Sequence, residues 1–331
     1  MKVFLFITAC LLSKSFCFGS AASDSTSLLW KITGNGLEKP SYLFGTWHTM
    51  PHQFLDRVPG FYDAFNSATA YAGEIDPTTR PSPEAYRRME MPPDTTYANL
   101  LNKPDFDMLD SMVNKYLKGS VDEISCRPGP LAYFLYEFIL TEELIKTDSI
   151  AKFVYQGRSL DGYLLKTAQN KHISTFALET FSDRERWGML DLSGYGLYDG
   201  KLEDQIQELI AGIKKIISID SMYLQSQLDI TLNLARAYYE QNLVKYEYIY
   251  SQIELNEITN KIKEVTVKNR NIFWMGKIRP WFINYSDRTL FVAVGAGHLV
   301  GEYGLISLLR KEGYVVEPVT ENNENQSSVT Q

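Results

Sequence analysis

The chain has 331 residues, 44% of them hydrophobic and 13% aromatic, and a formal net charge of -7. That apolar content is enough to bury a large core, as one big domain or as two. An acidic balance, with a pI near 5.3 and no basic stripe, excludes a nucleic-acid backbone as the main partner, since phosphate binding depends on clustered Lys and Arg.

The first residues, MKVFLFITACLLSKSFCFGSAAS, set Lys2 before an apolar run from Val3 to Leu12, followed by small residues at Ser20, Ala21 and Ala22. This is the pattern of a removed export signal peptide over residues 1–22, and its apolar run falls well short of the roughly 20 residues a spanning helix needs. The expectation is a periplasmic or extracellular protein with no membrane span after the signal is removed. Cys10 and Cys17 lie inside the signal and leave Cys126 alone in the mature chain. No intramolecular disulfide can then form, and the fold has to rest on its core. A lipid anchor on Cys17 is the minor alternative, because Phe16 stands where a lipobox needs a small residue.

Further on, SYLF reads as a short strand, PGFYDAFNSA as a helix opening near Pro59, and TAYAGEID as a second strand ending at Glu74. RSLDGYLLKTAQNKHISTFALET carries Leu160, Leu164, Leu165 and Ala168 at helical spacing, then a strand ending at Glu179. From Lys201 to about Arg279 apolar residues recur at three- and four-residue steps, which predicts a helical layer or cap. Near the end TLFVAV reads as a strand, VGEYGLISLLRKEG as a helix stopped by Gly313, and YVVEPV as a last strand. The fold class expected is α/β, a central mainly parallel sheet flanked by helices, with the helical cap inserted between the two halves of the site. One domain over residues 23–319 and a disordered tail over residues 320–331 complete the expected organisation.

Both strand-helix-strand units carry Gly-x-x-His just after their first strand, Gly45 to His48 in GTWH and Gly295 to His298 in GAGH. Ligands of open parallel sheets bind beyond the carboxyl ends of strands, where both histidines are expected to lie. The glycine before each histidine is expected to let the backbone turn sharply there. On the late helix Val267, Asn271, Trp274 and Ile278 share one stripe, so Asn271 interrupts an apolar face, with Arg270 beside it. A polar group buried there must be paired.

LWKITGNGLEKPSYLFGTWH, AYAGEID, ALET, NRNIFW and VAVGAGHLVGEYGLISLLRKEGYVVEPV occur in this order over residues 28–319. On these motifs the chain resembles the TraB/PrgY/GumN family, which includes the Tiki metalloproteases. The resemblance implies an α/β core similar to erythromycin-esterase and ChaN-like proteins. It also implies that His48, His298, Glu74 and Arg270, with Asn271 and Glu179 as weaker candidates, converge on a metal-dependent hydrolytic site. Trp47 is bulkier than the aliphatic residue expected there, which bears on substrate size, and His52 is an extra imidazole nearby.

Two neutral imidazoles and a carboxylate are the ligand set of a catalytic divalent ion such as Zn, Mn or Co, which lowers the pKa of bound water and polarises a carbonyl. His48, His298 and Glu74 are the expected ligands. Glu74 is also a candidate general base, and Arg270 a candidate for oxyanion or substrate-carboxylate binding. His52 and His172 read as surface residues, Cys126 as an inert thiol, and EDQIQE as a solvated face. The expected function is an exported metal-dependent peptidase acting on a peptide or protein substrate. The alternative is a non-enzymatic haem- or metal-binding protein using the same cleft.

Overall fold

A computed structural model of the chain describes residues 27–76, 79–156, 159–186, 201–217, 222–252 and 264–320. The expected export signal, and the expected tail beyond Thr320, lie outside the described residues. Six strands form one mixed sheet: β1 (Leu29–Thr33), β2 (Ser41–Thr46), β3 (Ala70–Ile75), β4 (Ser174–Glu179), β5 (Leu290–Gly295) and β6 (Val315–Pro318). Their spatial order is β4-β3-β5-β2-β1-β6. The first four neighbours run parallel, and β1 pairs antiparallel with both β2 and β6. The chain is α/β with a mainly parallel sheet, as its strand and helix order predicts.

Strand β5 lies between β3 and β2, and Leu290 through Val294 are all buried, the continuous apolar run of a strand covered on both faces. Two details differ from the sequence reading. LWKIT, not assigned there, forms β1; it turns into β2 through Gly34, Asn35 and Gly36, all at positive φ. The last strand is not the parallel counterpart of β3, because β6 returns to the far edge beside β1.

Helix α1 (Phe61–Ser67) packs Phe61 and Phe65 against Phe44 and Phe291 of the sheet. A run of helices follows β3: α2 (Pro83–Met89), α3 (Tyr97–Leu100), α4 (Lys103–Leu117), α5 (Pro128–Thr147) and α6 (Ser149–Val154). Next come α7 (Leu160–Asn170) before β4, and α8 (Phe181–Arg186), α9 (Leu202–Ile217), α10 (Met222–Tyr239) and α11 (Leu243–Gln252) after it. Helices α4, α5 and α9 bury their own cluster around Leu109, Val113, Leu135 and Ile210, separate from the core of the sheet. The helical layer therefore draws on residues 83–154 as well as on the segment after Lys201. In α9 the EDQIQE stretch is solvated at Glu203, Asp204, Gln207 and Glu208, but Gln205 is buried and accepts from the Gly129 N–H. The last two helices among the described residues are α12 (Arg270–Asn284) and α13 (Leu305–Lys311). A π-helical turn, Glu264–Asn269, runs directly into α12. No helix among the described residues is long and apolar enough to cross a membrane.

Candidate functional site

The four parallel strands bring Glu179, Glu74, His298 and His48 to one end of the sheet in the spatial order of β4, β3, β5 and β2. Thr46 and Gly295 are register partners, so the two Gly-x-x-His loops leave neighbouring strands. Helix α12 completes the group with its first two residues. Entry through a π-turn is a distortion that recurs at functional sites, and here it precedes an adjacent pair, Arg270 and Asn271, both buried.

Arg270 organises this buried end. Its Nε donates to Glu179 Oε2 at 3.0 Å, and its Nη2 donates to Glu74 Oε2 at 2.6 Å and to Glu179 Oε1 at 2.7 Å. Its Nη1 donates to the Thr266 carbonyl at 3.1 Å and to His298 Nε2 at 2.9 Å. A guanidinium has five N–H donors, and all are engaged. As it stands, Arg270 holds the two carboxylates and one imidazole together and has no donor left for a substrate oxyanion. Burial pushes the Glu74 carboxyl up, but Arg270, the two histidines and the Gly295 N–H together outweigh it, so Glu74 stays ionised well below the usual carboxylate range. Glu179 is fully buried and also accepts from Trp274 Nε1 at 2.9 Å and Arg184 Nε at 2.6 Å.

His298 is buried against Trp274, with ring centroids 4.4 Å apart. The Asn271 Nδ2 donates to the carbonyls of His298 and Tyr303. Its Oδ1 therefore accepts, and the 2.7 Å contact to His298 Nδ1 makes that nitrogen the donor. The Nε2 lone pair is the one Arg270 meets. Burial and then the Arg270 charge lower the His298 pKa to about 3, so the ring is neutral. The polar interruption of the α12 stripe thus fixes a histidine tautomer.

His48 is the exposed member, with its side chain 67% accessible. Its Nδ1 donates to Asp161 Oδ2 at 2.7 Å, while Asp161 Oδ1 accepts from Thr46 Oγ1 at 2.7 Å. The His48 carbonyl accepts from the Leu160 N–H, which ties the first loop to the start of α7. The hydrogen bond to Asp161 raises the His48 pKa against a partial loss of hydration beside the cavity. His48, Glu74, Asp161 and Arg184 line a cavity of about 500 Å³ between α7 and the ends of β3 and β4. Sequence reasoning missed Asp161 and Arg184. Ser159 caps α7 two residues before Asp161, so the local pattern reads only as a helix start.

The glycines of the two motifs act by clearance, which corrects the expectation of a sharp turn. Neither stands at positive φ. A Cβ on Gly45 would lie 3.2 Å from Ala296 Cα, and one on Gly295 would lie 3.3 Å from Glu74 Oε1. Their absence lets the two loops and the carboxylate close up. Of the remaining residues, His52 stacks on Tyr163 and is exposed, and His172 is exposed in the left-handed region. Cys126 is half-buried, its thiol pushed up to about 11 by burial. Trp47 packs edge-on against Tyr155 and Tyr246.

Two imidazoles with Nδ1 tied to the protein and a carboxylate between them are the donor types of a divalent-ion site, and tethered Nδ1 atoms are the usual support of such ligands. In kind the donor set fits. In the arrangement described, Arg270 takes His298 Nε2 and Glu74 Oε2, and no group of three His, Cys, Asp or Glu side chains stands at metal-ligand spacing among the described residues.

The model of the TraB/PrgY/gumN family matches residues 28–318. Among curated proteins, the chain is 23% identical to "Metalloprotease TIKI homolog" of Nematostella vectensis, over 90% of this chain and 68% of that protein. It is 24% identical to "Metalloprotease TIKI1" of Danio rerio, over 89% of this chain and 63% of that protein. The chain thus spans about two thirds of the length of these relatives. No solved structure matches it. With its strand-end histidines, its carboxylates and nearly its whole length inside the match, this chain belongs to the TraB/PrgY/gumN family.

Proposed function

We propose that the chain is an exported, metal-dependent hydrolase that cleaves peptide amide bonds at the cavity beside His48. The observation that carries this reading is the paired tethering of the two histidines. Asp161 holds Nδ1 of His48 and Asn271 holds Nδ1 of His298, so Nε2 is the ring atom left for chemistry, at once in His48 and on release from Arg270 in His298. The relatives named as metalloproteases support the reaction class, and the signal-like residues 1–22 support export. His298 and Glu74 would hold a Zn, Mn or Co ion, with Arg270 giving up His298 Nε2 to it, while His48, the third ligand expected from the sequence, keeps its Nε2 for the proton. When bound, such an ion polarises the amide carbonyl and lowers the pKa of water.

The rest of the chemistry belongs to the chain. His48, made more basic by Asp161, takes the proton of the attacking water at Nε2 and passes it to the leaving amine. Arg184, partly exposed on the cavity wall, faces the carbonyl oxygen as charge develops. Arg270 keeps Glu74 ionised and holds Glu74 and Glu179 in place. Hydrolysis of a mixed peptide library is expected with Zn²⁺, Mn²⁺ or Co²⁺ present, to stop with EDTA, and to return on re-addition of the ion. Full turnover in the chelated protein refutes metal dependence. A haem absorption band with no cleavage of any peptide favours the binding-protein alternative instead.

A further inference from the structure

The cavity beside His48 has a second end that the hydrolytic reading leaves unused. Helix α7 presents Asp161, Leu165 and Gln169 at i, i+4 and i+8, which puts them on one stripe. On the sheet, Tyr71 pairs with Thr175 and Gly73 with Ala177, and alternation places these four on one face. Stripe and face enclose the cavity of about 500 Å³, a volume in the range of small-ligand sites. A Cβ on Gly73 would lie 3.3 Å from Tyr71 Cε1, so the Tyr71 ring covers the glycine and forms an aromatic floor. Away from the strand ends, the walls are Leu165, Thr175 and Ala177 with the Gln169 amide.

Charge is confined to the rim. Glu74, Asp161 and Arg184 are there, but they already pair with Arg270, His48 and Glu179, and Asp76 lies past the end of β3. A basic side chain entering the cavity would lose its hydration against an uncharged wall, at a substantial cost. An apolar one would gain from leaving water. We propose that this cavity is the subsite for one large apolar substrate side chain, of leucine or phenylalanine size, adjacent to the amide presented to His48. The proposal rests on the peptidase reading for its orientation, and it names the residue class that reading leaves open.

The test uses the purified chain with the N-acetyl amides of phenylalanine, leucine, glycine and arginine. Binding is followed by calorimetry, and kcat/KM is measured on peptides that differ at a single position. The phenylalanine and leucine amides are expected to bind at least tenfold tighter than glycine. Ala177→Leu, which fills the cavity, should cut that ratio about tenfold. Thr175→Leu fills it from the neighbouring strand position and decides the matter where Ala177→Leu is misfolded by circular dichroism. Leu165→Ala should shift preference toward phenylalanine over leucine. Equal binding of glycine, preference for arginine, or a ratio untouched by either filling substitution overturns the proposal. Size-dependent binding that the filling variants abolish, in a chain that cleaves no peptide, upholds the subsite while the peptidase reading falls.

Discussion

His298 offers a test that needs no substrate. Its pKa is lowered from 6.5 to about 3 in the folded chain. The unfolded chain therefore binds a proton between these values that the folded chain refuses, and stability is lost as pH falls below 6.5. At about 1.36 kcal/mol per unit, the loss attributable to this ring from pH 7 to pH 5 is about 2 kcal/mol. Other shifted groups act elsewhere in pH. Glu74, lowered from 4.5, gives up its contribution only below that value. The raised pKa of His48 contributes stability that is fully present below 6.5 and is lost as pH rises through its folded value. Urea unfolding of the chelated protein at pH 7 and pH 5, followed by the fluorescence of Trp274 beside the ring and by circular dichroism, gives the slope. The comparison is with His298→Gln, in which all other groups cancel. The wild type should lose about 2 kcal/mol more than the variant over this interval. Equal losses in the two proteins would mean that the ring takes up its proton in the folded state, and the argument for a fixed neutral tautomer would fail.

Asp161→Asn should bring the His48 pKa down toward its ordinary value, read by NMR titration of the ring. It should also lower turnover tenfold or more with little change in unfolding free energy, since the pair sits at the exposed edge; an unmoved titration would separate Asp161 from His48. Arg270→Met should destabilise the chain by about 3–5 kcal/mol, because Glu74 and Glu179 are left buried without their main cation. A loss below about 1 kcal/mol in urea unfolding would show that both carboxylates find water or Arg184 unaided.

What was legible in the sequence is what strand and helix periods carry. Glu74, Glu179, His48 and His298 each follow a short apolar run, and a residue that closes such a run in a parallel sheet arrives where ligands bind. Asn271 was legible because it breaks a helical stripe. Asp161 and Arg184 were not, for a physical reason: their local signals are complete without the site. An acidic residue in the first turn of a capped helix is favourable by itself, and DRER reads as a solvated run. Only the docking of the first turn of α7 at the end of β2 gives Asp161 its imidazole, a contact across 113 positions. The glycines were legible as glycines but not as clearance, because the atoms they make room for come from another loop.

The repeated motif is a repeat of position and not of environment. Asn271 and Asp161 do the same geometric work, each accepting from a histidine Nδ1 at 2.7 Å, yet one tether is neutral and the other charged. Beside Arg270, with two buried carboxylates already balanced by Arg270 and Arg184, a third carboxylate at position 271 would add an uncompensated buried charge and draw a proton onto His298. The amide holds the ring without doing so. At the exposed edge the choice reverses, since solvent tempers the Asp161 charge and the more basic His48 is the ring that can accept and return a proton. The two histidines therefore divide the work: His298 is a fixed neutral acceptor, and His48 is the group that titrates.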